Sequence, residues 1–117
     1  MITYYAYPKC TSCQKAKSWL SQNGIEYNEI HIAENPPTKD QLANIYQASG
    51  LELKKFFNTS GLVYRSLGLK DKLSTMTEDE QLELLASDGM LIKRPLAWNG
   101  EKVTLGFKEA EYQNSWL

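Results

Sequence analysis

The sequence predicts an α/β chain in which a parallel β-α-β unit is followed by a run of helices, a β-hairpin and a closing helix. Three observations carry that prediction. The chain opens with a β-branched and aromatic run, ITYYAY at 2–7, which halts at Pro8. An apolar stripe at helical spacing comes directly after it. Near the other end, Asn99-Gly100 separates the extended runs of LIKRPLAWNGEKVTLGF, the strongest short hairpin signal a sequence carries. A length of 117 residues encloses one core and hardly two, so a single domain over 1–117 is expected.

Each element has its own justification. Ala16, Trp19 and Leu20 share a helical stripe with Cys13, and Asn23-Gly24 supplies the stop, which places Cys10 at the helix's amino end. IEYNEIHI at 25–32 reads as a second strand whose alternation slips near Glu29-Ile30. Pro36-Pro37 closes that segment. Thr38 with Gln41 then makes a capping-box pattern for a helix that presents Leu42, Ile45 and Tyr46 on one face and ends near Gly50. Gly61, Gly68 and Asp71 break residues 51–75 into several short helices. Thr77 and Glu80 repeat the capping box ahead of Leu82, Leu84 and Leu85, with Gly89 as the stop. In the tail, Ala110, Tyr112 and Trp116 at helical spacing predict a helix that packs back on the sheet. This order describes a thioredoxin-like, glutaredoxin-like three-layer sandwich with a small mixed sheet and a central helical insertion at about 38–88.

Composition narrows the function. Thirteen basic and fourteen acidic residues leave a net charge of -1, and no dense Lys/Arg block appears, so direct nucleic-acid binding is not expected. The amino end lacks the order of a signal peptide, and no apolar run nears the roughly 20 residues that span a bilayer. A cytoplasmic monomer without membrane attachment is the expectation. In a reducing cytosol, two cysteines are more often catalytic, redox-sensing or metal-bound than a permanent staple.

Cys10 and Cys13 are the chain's two cysteines. At i and i+3 of a helix start they can close a small disulfide, and the first sulfur faces the unpaired amides of the first turn. The helix dipole and nearby Lys9 favour a thiolate at Cys10, which makes it the attacking sulfur and Cys13 the resolving one. Thr11 and Ser12 add hydroxyls and amides for a sulfur or an oxyanion held there. The alternative is that both are small helix-start residues, since buried Cys packs as a small hydrophobe. A zinc site needs about four ligands, whereas this chain offers two Cys and the lone His31, so no metal is expected and His31 reads as a strand residue. A second candidate is IKRP at 92–95. A cis Arg94-Pro95 bond beside the cysteines would align a substrate chain, and Arg94 could hold an anion or stabilise the Cys10 thiolate, or be a solvated surface Arg.

Taken together, YYAYPKCTSCQKAKSWL, NPPTKDQL, YRSLGLK and LIKRPLAW resemble the arsenate reductase and Spx-related proteins over nearly the whole chain. The resemblance implies a thioredoxin-like fold with a helical insertion, a nucleophile at Cys10 and an anion-binding Arg94. It also has departures. The arsenate-reducing members follow their nucleophile with Gly-Thr-Ser, where this chain has Thr11-Ser12-Cys13. Two of their three oxyanion arginines fall on Asn58 and Phe107, and Ala6 replaces a His. Each lost charge-assisted bond is worth roughly 1.5 to 3 kcal/mol, so arsenate reduction ranks last unless Arg65 or a lysine compensates. Cys-Thr-Ser-Cys and Gly106-Phe107 resemble the Spx-type regulators, whose pair switches between dithiol and disulfide and which bind the RNA polymerase alpha subunit. Glu52, near Gly50, falls where those regulators use a Gly.

The leading expectation is a thiol-disulfide oxidoreductase with Cys10 as nucleophile, Cys13 resolving and Arg94 assisting. Lys9, Thr11, Ser12 and Pro95 are the expected substrate-binding set. No bound cofactor is expected, and the reductant would be an external thiol such as glutathione, glutaredoxin or thioredoxin. A redox-sensing adaptor for RNA polymerase alpha is the alternative, and arsenate reduction the third.

Overall fold

The computed structural model describes residues 1–117. Four strands form one sheet, β1 (Ile2–Ala6), β2 (Tyr27–His31), β3 (Leu96–Trp98) and β4 (Val103–Leu105), in the spatial order β2-β1-β3-β4. β1 and β2 run parallel with Ile2 opposite Tyr27 and Ala6 opposite His31, while β3 is antiparallel to both β1 and β4. The expected β-α-β unit and hairpin therefore meet in one mixed sheet. The hairpin turn is held by Asn99, whose Oδ1 accepts the N–H groups of Glu101 (2.9 Å) and Lys102 (2.8 Å).

Six helices surround the sheet: α1 (Thr11–Gln22), α2 (Lys39–Ser49), α3 (Leu62–Ser66), α4 (Leu69–Lys72), α5 (Glu78–Ser87) and α6 (Glu109–Trp116). Both predicted capping boxes form. Thr38 Oγ1 accepts from Gln41 N–H at 3.2 Å and Thr77 Oγ1 from Glu80 N–H at 3.1 Å, each with the reciprocal bond from the cap N–H to the side chain. Residues 51–75 break into short pieces as expected, α3, α4 and two 3-10 turns at Leu53–Phe56 and Leu73–Thr75.

Alternation along β1 and β3 sorts the core into two. Tyr5 and Leu96 face Ile32, Leu42, Ile45, Leu82, Leu85, Leu91 and Ile92 beneath the insertion. Ile2, Tyr4, Ala6 and Ala97 face Cys13, Ala16, Trp19 and Leu20 of α1 and Tyr112 of α6.

Two sequence expectations need correction. Gly89 does not stop α5: that helix ends at Ser87, Asp88 caps the next 3-10 turn through Met90 N–H (2.9 Å), and Gly89 begins that turn. Glycine is required there for space, because a Cβ would collide with the Ile32 carbonyl. Ala110, placed with Tyr112 and Trp116 on the packing face, is instead exposed, leaving Tyr112 as the fully buried anchor of α6.

Candidate active site at the start of the first helix

Cys10 is the N-cap of α1. Its backbone is extended (φ -89, ψ 115), and its sulfur accepts the Cys13 N–H at 3.2 Å. The approach is fixed from both sides: Cys10 N–H donates to the Tyr7 carbonyl at 3.1 Å, and Gln14 Nε2 donates to the Pro8 carbonyl at 3.1 Å. A sulfur acting as the cap acceptor lies at the positive end of the helix, where negative charge is stabilised. Thr11 and Ser12 are exposed, and the capping bond to the sulfur comes from the Cys13 amide and not from their hydroxyls.

Both cysteines are free thiols, Cys10 partly exposed and Cys13 buried at 2% exposure. Tyr4 Oη donates to the Cys13 carbonyl at 2.5 Å, tying the first turn of α1 to the sheet. Burial first, then the neighbouring Cys10 side chain, push the Cys13 thiol up to about 12, with the Arg94 cation working against the shift. Cys13 is thus a protonated thiol at neutral pH, and Cys10 is the accessible sulfur.

Arg94 is not a solvated surface residue. It is half-buried, its guanidinium carbon lies 5.2 Å from the Tyr7 ring centroid, and Nη1 stands 3.9 Å from Met90 Sδ. Its Nε is buried with no hydrogen-bond partner. The Arg94-Pro95 bond is cis, as the sequence suggested, and the buried Pro95 accepts the Gly106 N–H through its carbonyl at 2.9 Å.

A cavity of about 590 Å³ brings Ser12 and Arg94 together with Asn58 and Phe107, while Cys10 and Cys13 do not line it. Lys55, Lys93 and Lys108 line the same cavity. Arg65 does not; it donates to the Ser60 carbonyl at 3.1 Å. Lys9 is exposed and outside this cavity, and Ala6 is buried beneath α1. His31 ends β2, with Nδ1 accepting the Glu34 N–H at 3.2 Å. A larger cavity of about 750 Å³ lies among the insertion helices and shares Lys55 and Lys93 with the first.

Sequence reasoning missed Tyr7 and Met90 beside Arg94, and Tyr4 beneath Cys13. Tyr7 precedes the Cys motif and Met90 precedes Lys-Arg-Pro, yet nothing in their spacing marks them as neighbours, since the contact is made only when β1 and β3 pair.

The ArsC family model matches residues 5–115. Uncharacterized protein YusI of Bacillus subtilis is 65% identical over 115 residues, covering 98% of each chain. Regulatory protein MgsR of the same organism is 34% identical over 110 residues, 94% of this chain and 86% of that one. The solution structure of SACOL0876 from Staphylococcus aureus aligns with a TM-score of 0.93 at 50% identity, covering 100% of this chain and 99% of that chain. With a thioredoxin-like fold and a Cys-x-x-Cys pair at the first helix, the chain belongs to the ArsC family.

Proposed function

We propose that this protein is a thiol-disulfide oxidoreductase. The Cys10 thiolate attacks a substrate disulfide, forming a Cys10 mixed disulfide and releasing one substrate thiolate. Cys13, deprotonated as it attacks, displaces the second substrate thiolate and closes the Cys10-Cys13 disulfide. Two electrons pass from the dithiol to the substrate, and an external thiol reductant such as glutathione, glutaredoxin or thioredoxin restores the pair. The observation that carries this reading is the unequal placement of the sulfurs: Cys10 is accessible at the helix N-cap, and Cys13 is buried one turn inward with its amide on the Cys10 sulfur. Arg94 assists electrostatically, and Lys9, Thr11, Ser12 and Pro95 contribute to substrate binding. The test is turnover of a disulfide with each candidate reductant by wild type, Cys10→Ser and Cys13→Ser. Wild type turns over, Cys10→Ser does not, and Cys13→Ser accumulates the mixed disulfide; turnover that survives in Cys10→Ser rejects the reading.

The likeness to regulatory protein MgsR favours a second reading, a redox-sensing adaptor that binds the RNA polymerase alpha subunit and changes affinity as Cys10-Cys13 oxidises. Capture of alpha by the protein in one redox state, with no disulfide reduced, would select it. Arsenate reduction ranks third, because Asn58 and Phe107 leave Arg94 as the one arginine in the cavity.

A further inference from the structure

We infer that the outer edge of β4 is a docking surface for an extended, acidic segment of a protein partner, which joins the sheet as a further strand. β4 ends the order β2-β1-β3-β4, so one of its sides has no strand beside it. The ladder with β3 decides which groups that side presents. The Lys102 carbonyl accepts the Asn99 N–H at 3.2 Å, and the Gly106 N–H donates to the Pro95 carbonyl at 2.9 Å. Bonding alternates along an antiparallel pair, so Lys102, Thr104 and Gly106 turn toward β3, and Val103 and Leu105 turn their N–H and C=O groups outward. No backbone group from a loop or turn bonds to either residue, and neither a proline nor a bulge interrupts the strand.

The edge lies in a groove. Residues 103–108 line the cavity of about 590 Å³ together with Ser49, the last residue of α2, and with Glu111 and Ser115 of α6. These helices pack on opposite faces of the sheet, so a chain laid along β4 has a wall on each side. Charge names the occupant. Three exposed lysines, Lys55, Lys93 and Lys108, and the half-buried Arg94 line the groove against one carboxylate, Glu111. None of the four is in an ion pair, since those are made by Lys17, Lys39 and Lys54. In a chain of net charge -1, this is a local concentration of positive charge. Main-chain bonds to Val103 and Leu105 hold any added strand, and the lysines select one that carries carboxylates. They also disfavour a second copy of this chain, because β4 paired with β4 sets the same cations against each other. The surface is separate from the cysteine chemistry: neither Cys10 nor Cys13 lines the groove, and the added strand pairs on the side of β4 away from β3.

Three hexapeptides with the same fluorescent label test this by anisotropy on the full chain. They are Glu-Thr-Glu-Val-Glu-Thr, its counterpart with lysine for each glutamate, and the acidic peptide N-methylated at its four internal residues. Each exposed charge pair changes affinity about twofold, so the acidic peptide is expected to bind roughly tenfold or more tightly than the basic one, a ratio that shrinks as salt rises. The N-methylated peptide has lost its internal N–H donors and should not bind. Replacing Lys55, Lys93 and Lys108 together by Gln brings the acidic-to-basic ratio toward one, whereas Lys72→Gln, outside the groove, leaves it in place. Amide hydrogen exchange followed by NMR reads the mode of binding: the Val103 and Leu105 amides become protected in the complex with the acidic peptide. No binding of the acidic peptide, equal affinity for the acidic and basic ones, or binding that survives N-methylation overturns the inference. So does a complex that leaves the Val103 and Leu105 amides unprotected. Protection of those amides that rises with protein concentration in the absence of peptide would assign the edge to a second copy of the chain and overturn it likewise.

Discussion

The two faces of the sheet are packed from different materials. Under the insertion, the fully buried side chains are mostly aliphatic: Ile32, Leu42, Ile45, Leu85, Leu91, Ile92 and Leu96, with Phe56 and Phe57 among them. On the other face, three alanines, Ala6, Ala16 and Ala97, sit between large aromatics. Tyr112 meets Trp19 (5.5 Å), Phe107 (4.8 Å) and Trp116 (6.4 Å) edge to face, and Tyr4 meets Tyr27 at 5.4 Å. Aliphatic packing on the first face supplies stability and shape. Small residues on the second let α1 approach the sheet closely enough for Tyr4 to reach the Cys13 carbonyl. The cysteine pair thus stands on the face where volume is given up for position.

The largest expected effect is on the aliphatic face. Leu85→Ala, at a position with 0% exposure, is expected to lower unfolding free energy by about 2–5 kcal/mol in urea titration while leaving the rate of Cys10 reaction with a disulfide unchanged. The opposite face should answer differently. Ala16→Leu overfills the seam between α1 and β1, costs roughly 1–3 kcal/mol, and slows disulfide exchange by shifting the turn that carries Cys10. If Leu85→Ala slows exchange as much as Ala16→Leu does, the two faces are not separable in this way.

Alkaline pH sharpens the comparison, because the three groups pushed up furthest, Cys13, Tyr4 and Tyr112, lie on the aromatic face. Cys13 is raised from 9.0 to about 12, and burial likewise raises Tyr4 and Tyr112. Below about pH 9 the native and unfolded states both keep the Cys13 proton, so stability is flat with respect to this group. Above it, the unfolded chain ionises and the native chain does not, so stability falls until pH passes about 12. From pH 8 to 10 the loss from Cys13 is about 1 kcal/mol, and Cys13→Ala should flatten that part of the curve.

The smallest effect is expected at Tyr112, whose hydroxyl is buried without a hydrogen-bond partner; the nearby Thr104 hydroxyl accepts from Trp116 Nε1 at 3.3 Å. Tyr112→Phe keeps the ring contacts and removes an unsatisfied polar atom, so thermal denaturation should show stability unchanged or raised by up to about 1 kcal/mol. A loss greater than that would mean the hydroxyl has a partner.

What sequence made legible here is local chemistry. Both capping boxes, the hairpin at Asn99-Gly100 and the position of Cys10 at a helix start depend on neighbours within a few residues, and each formed as expected. Gly89 was misread because its constraint comes from Ile32, far away in the chain, and a glycine after an apolar run looks the same whether it terminates a helix or makes room for a carbonyl. The cationic cavity was hidden for the same reason. Lys93 adjoins Arg94, but Lys55 and Lys108 reach it from the insertion and from the residue before α6, and only the folded sheet brings those segments together.

The central claim is that Cys10 attacks and Cys13 resolves. The most direct measurement is intact-mass analysis of wild type, Cys10→Ser and Cys13→Ser after exposure to bis(2-hydroxyethyl) disulfide followed by alkylation. Wild type should carry neither adduct nor alkylating label, since its two sulfurs have closed on each other; Cys13→Ser should retain the adduct at Cys10; and Cys10→Ser should stay free of adduct. An adduct trapped on Cys13 in the Cys10→Ser protein, or a stable adduct on wild type with Cys13 still open to alkylation, would contradict the assignment.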